Sequence, residues 1–278
     1  MALLLLKVAA VIYVLAAGLG LVQLRWPRLS GDRTVIVGLS IALLAHALAL
    51  GGRTVEIGTF PLSTLADGLS LFGFLAAMIG IGIAWRSGVP QAAALVAVLV
   101  AVLTIMAAGM DPGGAGPERL RSPWLPVHIA LAFLGEASFA VAGIVAIVYL
   151  IQERRLKTKR KKIKKIGTGL HKLPALEILD NVSARLLQLG FPMMALGLVA
   201  GAIYSKQVSG TYWTWGLLNT VSLLVSILYA LLLHFRLTIG WRGRKAALLT
   251  LVGVLATLVA LVGLGLAGVG AHGQDYVS

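Results

Sequence analysis

Long apolar segments alternate with short polar breaks along the whole chain, and this pattern restricts the possible folds more than any motif does. About eight segments are long and apolar enough to cross a hydrocarbon core as helices. An open sheet would leave backbone groups unpaired in lipid, so every span should be helical. The predicted spans are Leu3–Leu24, Val35–Leu50, Ala66–Trp85, Gln91–Gly109, Val127–Ile151, Leu186–Ile203, Leu217–Phe235 and Ala246–Ala267. The sequence therefore predicts an all-α integral membrane protein, a helix bundle that forms one polytopic domain over residues 1–278.

Composition excludes several classes of protein. Hydrophobic residues make up 59% of the chain and charged residues only 12%, which does not fit a soluble domain. The formal net charge is +14, but the basic residues gather in a few breaks between apolar segments and do not line an exposed face, so we expect no nucleic acid partner. The chain has no cysteine, so its mechanism uses neither disulfides nor thiolate ligands.

The basic residues predict the orientation. They follow the first, third, fifth and seventh spans, and basic loops stay in the cytoplasm, so both termini should lie outside. The largest basic group lies in the predicted cytoplasmic loop 152–185, where it would bind anionic lipids or, alternatively, dock a partner. Within this loop, Leu173–Asp180 is predicted to lie along the cytoplasmic surface as an amphipathic segment. The expected location is the cell inner (plasma) membrane.

Histidine and tryptophan side chains meet at the predicted outer surface. His128 begins the fifth span, His272 follows the eighth, and Trp213 and Trp215 lie in the outer break between the sixth and seventh spans. Two neutral imidazoles can fill both axial positions of a haem iron, while indole faces cover the porphyrin. The alternative is that these side chains contact lipid headgroups, as histidines at helix ends and interfacial tryptophans often do. Arg119 and Arg121 precede His128 and are the first candidates to hold the haem propionates, unless they are ordinary solvated loop charges.

Ionisable side chains inside the spans form a second group of candidates. Glu136 in the fifth span must be protonated, paired or exposed to a polar cavity, and a hydrogen bond between helices is the simplest alternative. His46 lies in the outer half of the second span. His234 lies near the cytoplasmic end of the seventh span, where it has a functional role or simply lies in the interface beside Arg236. His171 has no predicted role.

From His46 onward the chain resembles the cytochrome c assembly family of haem-handling membrane proteins, which includes CcsA/ResC, CcmC and HemX-like proteins. The residues that carry the resemblance occur in order along the chain: Trp124-Leu125-Pro126-Val127-His128, then Leu173–Asp180 followed by Gly190-Phe191-Pro192 and Gly197–Ala202, Tyr212-Trp213-Thr214-Trp215, Leu233-His234-Phe235-Arg236, and Gly268–Gly273. The resemblance implies that His128 and His272 are the outer axial ligands of haem b, with Tyr212, Trp213 and Trp215 forming the porphyrin platform. It also implies that His234 is a membrane-embedded histidine used as haem crosses the bilayer.

The same resemblance implies a role in cytochrome c biogenesis. Haem would be presented to apocytochrome c at the outer face, together with a partner subunit of a cytochrome c synthetase complex. The family continues here with an Asp-Pro-Lys-Glu-like run, whereas this chain has Gly216-Leu217-Leu218-Asn219. The chain is also short for a complete synthetase. We therefore expect haem binding, transport or presentation, and at most part of a haem lyase complex. The alternatives are a HemX-like haem-binding regulatory protein and a haem-free small-molecule transporter that uses Glu136 and His46 as a proton relay.

Overall fold

The structure is a computed structural model that describes residues 1–25, 32–111, 113–114, 122–162 and 175–266. Within those residues the chain forms eight helices. They are α1 (Ala2–Arg25), α2 (Asp32–Ile57), α3 (Leu65–Ser87), α4 (Pro90–Gly109), α5 (Trp124–Lys162), α6 (Leu176–Ser209), α7 (Leu217–Leu237) and α8 (Arg244–Leu266). In this described part, seven helices, α1 to α7, are long and apolar enough to cross a membrane. The predicted all-α, multi-pass membrane fold is confirmed.

The first four helices pack closely through small side chains. α1 lies against α2 and α4, and α3 lies against α4. A Cβ atom on Gly20 would lie 2.7 Å from the Cβ of Ala94, and one on Gly80 would lie 2.6 Å from a methyl of Val96. Lipid supplies no hydrophobic force between helices, so this close approach of backbones is what stabilises their association.

α5 and α6 form the central helix pair, and both are longer than a bilayer requires. They contain 39 and 34 residues, so each is more than 50 Å long at about 1.5 Å per residue, against a hydrocarbon core of roughly 30 Å. The predicted basic segment accordingly begins inside α5, which continues to Lys162. In the predicted surface segment Leu173–Asp180, residues Leu176–Asp180 are the start of α6 and continue directly into the rest of this long helix.

A buried ion pair explains why Asp180 stays within α6. The guanidinium of Arg236 on α7 lies 2.6 Å from the Asp180 carboxylate and also donates to the Asp180 backbone carbonyl. The backbone N–H of Gly243, just before α8, donates to the same carboxylate at 3.1 Å. The start of α6 is thereby tied to the end of α7 and the start of α8. Two turns before Arg236 on α7, the ring of Tyr229 stacks on Phe139 of α5 with centroids 3.5 Å apart.

Candidate functional site

His128 lies on the first turns of α5, against a glycine face of α6 formed by Gly197 and Gly201. Its Nδ1 atom is 2.7 Å from the backbone carbonyl oxygen of Gly197. A Cβ atom on Gly201 would lie 2.7 Å from the same Nδ1 atom, so only glycine leaves room for the ring in this position. The spacing of the two glycines predicts a close helix contact, and the structure adds that the contact holds a histidine ring.

The hydrogen bond to Gly197 determines which ring nitrogen carries the proton. A carbonyl oxygen only accepts hydrogen bonds, so the Nδ1 atom of His128 must donate. In the neutral ring the lone pair then lies on Nε2. Histidines that bind a metal through one nitrogen usually donate from the other to a carbonyl or carboxylate, which fixes the tautomer and the ring orientation. The His128 environment has this arrangement.

The aromatic segment, residues 210–216, connects α6 to α7. Gly210 ends α6 in the left-handed region with φ of 76°, a conformation that favours glycine. The rings of Trp213 and Trp215 meet edge to face with centroids 5.9 Å apart, and Trp215 is 79% exposed. Tyr212 lies beneath the ammonium group of Lys206, 5.2 Å from the ring centre. The segment therefore presents large aromatic surfaces at the end of the bundle.

Asn219 holds this segment in place, a role that was not predicted from the sequence. Its Nδ2 atom donates to the Thr214 carbonyl oxygen at 2.9 Å and to the Thr214 hydroxyl at 2.8 Å. Thr214 separates the two tryptophans, so these bonds fix the backbone between them. An asparagine in the first turn of a helix often bonds to the backbone before it, so this local signal could have predicted the contact.

The helix order brings His128 and the aromatic segment to one end of the bundle. Ser122, just before α5, donates to the side chain of Gln207 near the end of α6 at 2.7 Å. The predicted ligand His272 and the predicted propionate contacts Arg119 and Arg121 lie outside the described residues. His234 lies at the opposite end of α7, where its Nδ1 atom is 3.2 Å from the Thr238 hydroxyl.

The remaining intramembrane candidates lie in two different places. The ring of His46 on α2 is fully buried, and its Nε2 atom is 2.9 Å from the hydroxyl of Ser70 on α3. Glu136 lies on α5, eight residues after His128. The Ser70 contact was not predicted, because it joins residues 24 positions apart on different helices.

Comparison with known proteins identifies the family. The sequence model described as Cytochrome C assembly protein matches residues 35–272, most of the chain. The chain belongs to the cytochrome c assembly protein family. Its relatives include three proteins named cytochrome c biogenesis protein CcsA. That of Microcystis aeruginosa is 28% identical, with 86% of each chain covered. Those of Picosynechococcus sp. and Synechococcus sp. are 28% and 30% identical, with about nine-tenths of each chain covered.

This membership confirms the family resemblance seen in the sequence, and it supports a role in cytochrome c maturation. The seven apolar helices and the family together make the protein a multi-pass membrane protein. The family also implies that haem is involved in its work.

Proposed function

We propose that this protein binds haem b at the outer face of the cell inner (plasma) membrane and presents it for attachment to apocytochrome c. His128 and His272 would be the axial ligands, and the aromatic segment would cover the porphyrin. The haem would supply the group that is attached to the cytochrome. The residues of this chain would hold that group, orient it and shield one of its faces from water.

The observation that carries this proposal is the hydrogen bond from His128 Nδ1 to Gly197. It fits an axial ligand because it leaves the lone pair of the neutral ring on Nε2 and fixes the plane of the imidazole. A histidine that only contacts headgroups does not need a ring that two glycines hold in one orientation. The exposed indole of Trp215 at the same end of the bundle adds a flat apolar surface of the kind that a porphyrin covers.

The proposal assigns roles to the other predicted residues. Arg119 and Arg121 would bind the propionates, because guanidinium groups pair with carboxylates in bidentate geometry. His234, near the end of α7 that carries Arg236, would contact haem as it passes through the membrane. The basic part of α5 would bind anionic lipids, with several basic residues each contributing about 1 kcal/mol near a charged surface. A partner subunit of a cytochrome c synthetase complex would supply the rest of the synthetase.

An absorption spectrum of the protein purified in detergent tests the haem site. We expect a Soret band in the wild type, and a reduced or shifted band in His128→Ala and in His272→Ala. Added imidazole should partly restore the band in each variant by occupying the vacated axial position. His171→Ala is the matched control, because the same change in the basic loop should leave the spectrum unaltered.

Two outcomes would reject the proposal. A wild-type protein without a Soret band, even after incubation with haem, would favour the haem-free transporter. A normal spectrum in both His128→Ala and His272→Ala would show that haem is bound elsewhere in the chain.

A further inference from the structure

A small cavity of about 50 Å³, lined by apolar and polar residues, lies among the ends of the first four helices. It is bounded by the first residues of α1 and α3 and the last residues of α2 and α4. These ends all face outward in the orientation that the basic loops predict. The polar lining consists of Arg53 and Glu56 from α2, and Asp67 and Ser70 from α3.

Part of this polar lining has a structural explanation. Asp67 accepts hydrogen bonds from the backbone N–H groups of Ser63 and Thr64 and completes a capping box with the Thr64 side chain at the start of α3. Its carboxylate also lies 3.5 Å from Nε of Arg53. Helix capping therefore accounts for Asp67. It does not account for Ser70, which lies one turn further into the membrane.

Ser70 joins the cavity to a buried histidine. Ser70 is one of the residues that line the cavity, and its hydroxyl lies 2.9 Å from Nε2 of His46. The His46 ring is fully buried. It packs edge to face with Tyr13 from α1 and Phe74 from α3, with 5.9 and 5.7 Å between ring centres. Among the described residues, the Nδ1 atom of His46 and the hydroxyl of Tyr13 have no hydrogen-bond partner. The hydrogen-bond contact of the imidazole that the structure shows is thus with a residue that lines the cavity.

The size and lining of the cavity suit water. To hold one water molecule, a cavity needs roughly 10–15 Å³ of space for the centre of that molecule and two to four polar partners. The volume of about 50 Å³ exceeds the first requirement, and the four polar lining residues meet the second. His46 lies eleven residues before the end of α2, which places it about 16 Å into the bundle. The cavity extends from this end of the bundle to Ser70, which contacts the ring.

We propose that this cavity is a hydrated inlet through which His46 exchanges protons with the outer aqueous phase, with Ser70 as the relay. In the neutral ring protonated at Nδ1, the Ser70 hydroxyl donates to Nε2. Transfer of that hydroxyl proton to Nε2 gives an imidazolium, while a hydronium ion in the inlet gives a proton to the Ser70 oxygen and is left as water. The reverse transfers release the proton to the same water. Arg53, Glu56 and Asp67 are the charged groups that face the inlet water. The inlet does not depend on haem.

The absence of native cysteine makes the access route measurable. Ser70→Cys should react with a membrane-impermeant thiol reagent added from the outer side. The matched control is Thr104→Cys, which is fully buried on α4 at a similar distance from the same end of the bundle. We expect Ser70→Cys to react at least tenfold faster than the control. Ala107→Cys, which lines the inlet from α4, provides a second probe if Ser70→Cys fails to fold. Equal rates for probe and control, or labelling only from the cytoplasmic side, would overturn the inlet.

A second measurement tests the relay itself. Solid-state NMR can follow polarisation transfer from water to ¹⁵N-labelled histidine rings, with the His46 signal assigned by its loss in His46→Gln. We expect rapid transfer to His46 in the wild type and transfer several-fold slower in Ser70→Ala. Slow transfer in the wild type would show that water does not reach His46. Equal transfer in the two proteins would show that Ser70 is not the relay.

Discussion

A Cβ atom on Gly201 would lie 2.7 Å from Nδ1 and 2.8 Å from Cε1 of His128, closer than real side chains approach. Gly201 therefore fixes where the imidazole ring can lie, while Gly197 fixes its orientation through the carbonyl oxygen. The position of the proposed ligand is set by the backbone of α6. Substitutions on α6 should consequently change haem binding without removing a haem contact.

Gly201→Ala is the direct test of this dependence. The added methyl group must displace the His128 ring from the Gly197 carbonyl, at a cost of about 1–3 kcal/mol for overpacking a close helix contact. We expect the haem content after purification to fall and the Soret band to shift. Absorption spectra normalised to protein concentration measure both effects.

Gly82→Ala is the matched control for that substitution. Gly82 also lies within a helix, but a Cβ atom there has no neighbouring atom within 4 Å. Its replacement should leave haem content unchanged and stabilise the helix by roughly 0.5–1 kcal/mol. If Gly201→Ala binds as much haem as Gly82→Ala, the ring position set by α6 is not required.

Asn219→Ala should weaken haem retention by loosening the aromatic segment. The substitution removes both hydrogen bonds to Thr214 and so frees the backbone between Trp213 and Trp215. The expected loss of stability is about 1 kcal/mol, as for a typical side-chain hydrogen bond, whereas haem should be lost several-fold faster during washing. Asn181→Ala, at an exposed position on α6, is the control. Equal haem retention in the two variants would remove Asn219 from the site.

Asp180→Asn should destabilise the whole protein. Arg236 is only 7% exposed, and its guanidinium would be left buried without a compensating charge. Breaking such a pair typically costs about 3–5 kcal/mol. The control is Glu153→Gln, which breaks the pair with Lys157 one turn apart on α5, whose lysine side chain is 62% exposed. An exposed pair of this kind contributes about 0.3–0.5 kcal/mol. Thermal unfolding in detergent, followed by tryptophan fluorescence, should show a much larger decrease for Asp180→Asn, and similar decreases would refute the role of this ion pair.

Replacing both Arg119 and Arg121 by glutamine tests the proposed propionate contacts. The loss of two guanidinium groups should reduce haem retention during washing while the spectrum of the haem that remains bound stays the same, because the axial ligands are intact. Arg53→Gln is the control, because it removes the charge of another outer residue. The Arg53 guanidinium donates to the Gly113 carbonyl oxygen at 2.8 Å. Unchanged retention in the double variant would exclude these two arginines from the site.

The sequence predicted the helices because lipid allows few alternatives, and it predicted less well how they are rotated about their axes. Gly197 and Gly201, one turn apart, indicated a packed face of α6, yet nothing local showed that His128 would occupy it. The contact of His46 with Ser70 likewise depends on how α2 and α3 face each other. Leu173–Asp180 was expected along the membrane surface because its pattern is amphipathic. That pattern does not show that Asp180 pairs with Arg236, which lies 56 residues further along the chain.

The orientation of the bundle is the prediction on which the outer haem site depends. Basic residues in alternate loops should keep Arg154 and the rest of loop 152–185 in the cytosol, with Met1 and Ser278 outside. A reporter that is active only in the cytosol should therefore be silent when fused at Ser278 and active when fused after Lys165. Comparable amounts of the two fusion proteins in the membrane serve as the control. Strong activity at Ser278 would separate His272 from His128 and Trp213 by the thickness of the bilayer, and the two histidines could not then bind one iron.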